Sequence, residues 1–116
     1  MQLESLSLLY DVRKAAKLIG SFTLDRSFED YLADPMLRSA VERQFEIIGE
    51  ALSKLLKLDP GIVAQIDDYR RIISFRNVLI HGYAVVVDQL VWEIAETKLP
   101  ALLTVTESLL QSHEES

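Results

Sequence analysis

Leu3, Leu6, Leu9, Val12, Ala16 and Ile19 recur at steps of three and four residues, and the pattern stops at Gly20. That spacing predicts an amphipathic helix with one apolar face. Ser27, with Asp30 three positions on, has the form of a capping box opening a short turn to Ala33. Asp34-Pro35 then predicts the start of a long helix. Pro35 suits the first helical position, and Leu37, Val41, Phe45, Ile48, Leu52, Leu55 and Leu56 hold one face from Met36 to Leu58. Asp59-Pro60-Gly61 breaks the pattern, and a short helical stretch is expected over 62–68. A helix follows from Tyr69 to His81, with Gly82 as its left-handed cap. Val85, Val86 and Val87 have strand propensity but no partner strand, so they are read as an extended connection. Asp88 is expected to cap a last helix carrying Leu90, Val91, Ile94, Leu99, Leu102, Leu103, Val105 and Leu109, bent near Pro100. The expected fold is all-α, an antiparallel bundle of four main helices plus short helical segments, in one domain over 1–116.

Composition narrows the chemistry. Hydrophobic residues are 49% of the 116, and Gly and Pro are few, which excludes disordered and collagen-like classes. With no cysteine and two histidines, thiolate metal sites and cysteine nucleophiles are excluded, and no metal or cofactor is expected. Charged residues interrupt the first twenty positions, so a signal peptide or membrane span is not expected, and the cytoplasm is the expected compartment.

The formal charge of −6 argues against a broad electrostatic nucleic-acid surface. Its distribution changes that picture: between Tyr69 and Tyr83 stand Arg70, Arg71, Arg76 and His81 with no carboxylate. At about 100° per residue, Arg70, Ser74, Asn77 and His81 fall within roughly 60° of one another, opposite Ile72, Phe75 and Leu79. Arg76 lies about 140° from His81, which is awkward for a joint site within one copy of the helix. A second copy of the helix across a dimer, or the reach of a long side chain, would bring them together.

Blander readings of the same residues exist. A surface histidine beside an asparagine can simply be solvated, Arg76 can pair with a structural carboxylate, and Tyr83 can pack at the helix end. Glu42, Glu46 and Glu50 at four-residue spacing, with Arg43 beside them, read best as an ion-paired helix face.

The run Arg76-Asn77-Val78-Leu79-Ile80-His81-Gly82-Tyr83 resembles the signature of HEPN-domain toxins of the HepT type: arginine, four residues, histidine, any residue, tyrosine. Ala40-Val41-Glu42-Arg43, Ile47-Ile48-Gly49-Glu50-Ala51 and Val87-Asp88 before Val91-Trp92 stand in the order seen in that family. Asp68-Tyr69 replaces the proline-tryptophan pair common ahead of its arginine segment. The resemblance implies a metal-independent endoribonuclease, the toxin of a type VII-like toxin–antitoxin pair, working as a homodimer with its cleft between two copies of the motif helix. It implies catalytic roles for Arg76, Asn77 and His81. It also implies a nucleotidyltransferase antitoxin of the MNT type that adds AMP to Tyr83. Arg70, Arg71 and Ser74 are then expected to contact RNA. The alternatives are a non-catalytic HEPN module binding nucleotides or protein, and a purely structural dimerisation domain.

Overall fold

Among the described residues every element of regular structure is a helix in a computed structural model, which describes residues 1–81 and 84–115, with side chains except at 81, 84–87 and 114–115. The helices are α1 (Leu3–Thr23), α2 (Phe28–Ala33), α3 (Pro35–Leu58), α4 (Pro60–Val63), α5 (Tyr69–His81), α6 (Ala84–Thr97) and α7 (Leu99–Glu115). None is long and apolar enough to cross a membrane.

Local chemistry sets the early boundaries. Ser27 Oγ accepts from the Asp30 amide at 3.1 Å while the Asp30 carboxylate accepts from the Ser27 amide at 2.9 Å, a complete capping box for α2. Asp34 Oδ1 accepts from the amides of Met36 and Leu37, each at 3.1 Å, and Pro35 occupies the first turn of α3, where its missing N–H costs nothing. Arg38 ties α3 back to α2 by donating to the carbonyl of Leu32.

The core is built on α3, which packs against α1 on one side and α5 on the other, with α7 returning onto α1. Val12, Ile19, Val41, Ile48, Leu52 and Val91 are fully buried in it. A smaller cluster of Leu9, Leu55, Ile62, Val63 and Leu110 closes the far end. Trp92 of α6 packs on Tyr31 and Phe28 of α2, at 5.5 and 6.3 Å between ring centroids.

Several boundaries differ from the expected ones. Helix α1 runs through Gly20 to Thr23, because an exposed glycine weakens a helix without stopping it. The short stretch expected over 62–68 is helical only as α4 (Pro60–Val63), starting at the proline. Backbone at 85–87 is helical, within α6, and not an extended connection; valine's helix penalty of a few tenths of a kcal/mol is too small to prevent it. Asp88 consequently sits inside α6 and does not cap it. The expected bend near Pro100 is a break at Lys98 that makes two helices, since Pro100 has no N–H to continue the ladder and its ring crowds the preceding turn. The cap assigned to Gly82 lies outside the described residues.

Candidate active site

Helix α5 carries the candidate site, and its inner face explains its position. Ile72 and Phe75 are buried, and Phe75 meets Phe45 of α3 edge to face, centroids 5.3 Å apart at 87°. That anchors the opposite face outward: Arg70, Ser74 and Asn77 are all exposed, as is Arg71. The structure therefore brings Arg70, Ser74 and Asn77 onto one open stripe, as the periodicity predicts. His81 is the last residue of α5, and its side chain, like all of Tyr83, lies outside the described residues.

Arg76 stands apart from the stripe, half-buried against α3. A Cβ built on Gly49 would lie 2.7 Å from the Cβ of Arg76, and 3.3 and 3.4 Å from its Cδ and Cγ. Only a residue without a side chain lets α5 come this close. The aliphatic stem of Arg76 is thereby laid on α3, and packing of the stem restricts the guanidinium it carries. Spacing alone does not mark Gly49 as a positioning residue; the signal the sequence offers is an isolated glycine inside a long helical pattern, which goes with close packing.

The start of α5 is held from outside the helix. Asp68 adopts a left-handed backbone with φ 56°, a conformation aspartate tolerates, and its carbonyl accepts from the Ile72 amide at 3.1 Å. Its carboxylate pairs with Lys98, between α6 and α7, and the hydrogen bond from that ammonium holds the carboxyl below its ordinary range. Arg70 Nε donates to the Tyr69 hydroxyl at 3.1 Å, and the guanidinium carbon stands 5.6 Å from the Tyr69 ring centroid.

The electrostatics of the site follow from which cations are paired. Arg13, Lys17, Arg26, Arg43, Lys54 and Lys98 each stand within 4.0 Å of a carboxylate. Among the described residues Arg70, Arg71 and Arg76 do not. In a chain with eighteen acids against twelve bases, α5 keeps its three arginines free of carboxylate partners among those residues. Such guanidinium groups are available to an anion.

The glutamate ladder of α3 is ion-paired at two of its three positions. Glu46 pairs with Arg43 and Glu50 with Lys54, each at 3.3 Å. Glu42 differs: it is half-buried without an ion-pair partner among the described residues, and burial, then the neighbouring carboxylates of Asp88 and Glu46, push its carboxyl up. Among the described residues no group of three or more acidic or histidine side chains could hold a metal ion.

Comparisons with known proteins give the family. A family described as Ribonuclease HepT-like matches residues 12–109. A protein of Thermococcus cleftensis named probable ribonuclease HepT is 35% identical over 98 residues, covering 81% of this chain and 84% of its own. Two proteins of Methanocaldococcus jannaschii, provisionally named RNases, are 30% identical over 106 residues and 32% over 94. The first covers 91% of this chain and 87% of its own, the second 81% and 85%. No solved structure gave a significant match. With the family matched across all but the two ends, and the motif helix seated on α3 through Gly49, the chain belongs to the HepT-like ribonuclease family.

Proposed function

We propose that the chain is an endoribonuclease that cleaves RNA without a metal ion, as the toxin of a toxin–antitoxin pair. The observation that carries this reading is α5 itself: an outward helix whose three arginines have no carboxylate within 4.0 Å among the described residues, with Asn77 exposed beside them and His81 at its end, in a chain of net charge −6. The names of the relatives support the ribonuclease part of this reading.

Cleavage in this reading is an attack of the 2′-oxygen on the adjacent phosphorus. The bond from phosphorus to the 5′-oxygen breaks, leaving a cyclic 2′,3′-phosphate and a free 5′-hydroxyl. One group takes the 2′-hydroxyl proton and another protonates the departing oxygen. Imidazole titrates near neutrality, so His81 suits proton transfer. Arg76 supplies a fork of donors to the charge that develops on the phosphate oxygens, and Asn77 orients the phosphate or the imidazole.

A homodimer fits the offset of about 140° between Arg76 and His81, because a second copy of α5 across a two-fold axis supplies the complementary group. Ile80, 52% exposed on the same helix, gains cover in such an interface. Silencing is assigned to an MNT-type nucleotidyltransferase that places AMP on Tyr83, adding negative charge and bulk beside the cleft.

Incubation of purified chain with RNA in EDTA, beside His81→Ala, tests the activity. Cleavage by the wild type alone supports it. RNA binding without cleavage would show a non-catalytic binding module.

A further inference from the structure

Among the described residues, Arg70 differs from Arg71 and Arg76 in having its head group held by a hydrogen bond. Nε is committed to the Tyr69 hydroxyl at 3.1 Å, and the Tyr69 ring packs against both hydrophobic clusters of the core. Asp68 fixes the same turn through Lys98. A guanidinium with Nε occupied keeps the donors of its two terminal nitrogens, a fork that fits a phosphate. Arg70 stands six residues before Arg76, about 9 Å along the helix and about 120° around it, so the two guanidinium groups are set towards different phosphates.

We infer that Tyr69 is a positioning residue that holds Arg70 as a docking point for a phosphate of single-stranded RNA flanking the one at Arg76. The inference rests on the ribonuclease reading of α5. It concerns what Asp68-Tyr69 adds where the family commonly has proline and tryptophan: an indole ring has no hydroxyl to accept from Nε, and a proline has no carboxylate to meet Lys98. Pre-organisation of this kind lowers the entropy lost when the arginine is immobilised on a ligand.

The test is a set of variants assayed on a short single-stranded RNA and on its fully 2′-O-methylated, uncleavable counterpart. Tyr69→Phe keeps the ring and removes only the hydroxyl. It is expected to raise KM, and Kd for the uncleavable strand, about three- to tenfold with kcat unchanged. Arg70→Ala is expected to raise both about tenfold and to reduce the salt dependence of binding by about one phosphate contact, whereas Tyr69→Phe keeps the wild-type slope because the charge remains. In the double variant the effect of Tyr69→Phe disappears, since it acts through Arg70. Unchanged KM and Kd in Tyr69→Phe, or additive effects in the double variant, would overturn the inference while leaving the nuclease reading intact. A wild type that neither binds nor cleaves RNA overturns both.

Discussion

The Cβ of Arg76 sits 2.7 Å from the position a Cβ would take on Gly49, so the motif helix meets α3 at a point where one of the two residues must be glycine. The contact is between atoms next to the backbone, and no rotamer of Arg76 relieves it. Gly49→Ala is therefore expected to push α5 off α3. Overpacking costs about 1–3 kcal/mol, offset by about 1 kcal/mol of helix propensity. The net loss of stability is then up to about 2 kcal/mol, with RNA cleavage falling further than stability because the Arg76 head group is displaced. Adding Arg76→Ala leaves the Cβ contact in place and restores no stability. Thermal melts of both variants check this, and wild-type stability together with wild-type cleavage in Gly49→Ala would refute it.

Gly20 is the contrasting case, a helical glycine at which an added Cβ would meet nothing within 4 Å. Gly20→Ala replaces a flexible position by the best helix former in open space. It is expected to stabilise the fold by about 0.5–1 kcal/mol, with no effect on cleavage. Denaturant unfolding of the variant checks the sign; a destabilised Gly20→Ala would mean that α1 does not run through this position to Thr23.

These two glycines show where sequence patterns carry far and where they stop. The starts of α2 and α3 are legible because capping is local: Ser27 with Asp30 and Asp34 with Pro35 lie within a few positions of one another. The outward stripe of α5 is legible because Ile72 and Phe75 fix its inner face by periodicity alone. Gly49 against Arg76 is a pairing between two separate helices, and no periodicity within either one encodes it. Leu3 marks the opposite error, an apolar residue in register with the stripe of α1 yet 82% exposed, because at the first turn no neighbouring helix covers it. Val85 to Val87 mislead because propensity differences of tenths of a kcal/mol yield to context.

Arg76 and His81 are assigned to the transition state, so their removal should cost rate before it costs structure. Arg76→Ala is expected to lower kcat/KM about 10²–10³-fold and His81→Ala about 10²–10⁴-fold. Far-ultraviolet circular dichroism should remain that of a helical bundle in both. Full cleavage by either variant removes that residue from the mechanism, and lost helicity in Arg76→Ala assigns it to packing on α3 instead.

Tyr83 follows His81 by two residues in the sequence, and the proposed silencing places AMP on its hydroxyl. Co-expression with the proposed MNT-type nucleotidyltransferase is expected to add the mass of one or more AMP groups to the wild type, none to Tyr83→Phe, and to abolish cleavage. Equal modification of Tyr83→Phe, or an unmodified and active wild type, excludes the tyrosine as the acceptor.

Glu42 gives the fold a pH signature of its own. On α3 it faces the carboxylates of Asp88 from α6 and Glu46 from its own helix, and Arg38, the cation that acts on it, already donates to the carbonyl of Leu32. Burial and like charge raise its folded-state pKa above the ordinary 4.5. Between those two values the folded chain holds a proton that the unfolded chain releases. Stability contributed by this site therefore falls as pH rises from about 4.5 through the folded pKa, and the loss is complete once pH lies above that pKa. The buried Tyr31 hydroxyl, raised by burial and by the carboxylates of Glu42 and Asp88, stays neutral throughout and adds no slope in this range. Glu42→Gln cannot ionise, so its stability relative to the wild type should be higher at pH 7 than at pH 4, where Glu42 is largely protonated in both states. Denaturant midpoints of the two proteins at the two pH values measure this directly. A difference that is the same at both, or larger at pH 4, would show that Glu42 carries no ionisation penalty in the fold.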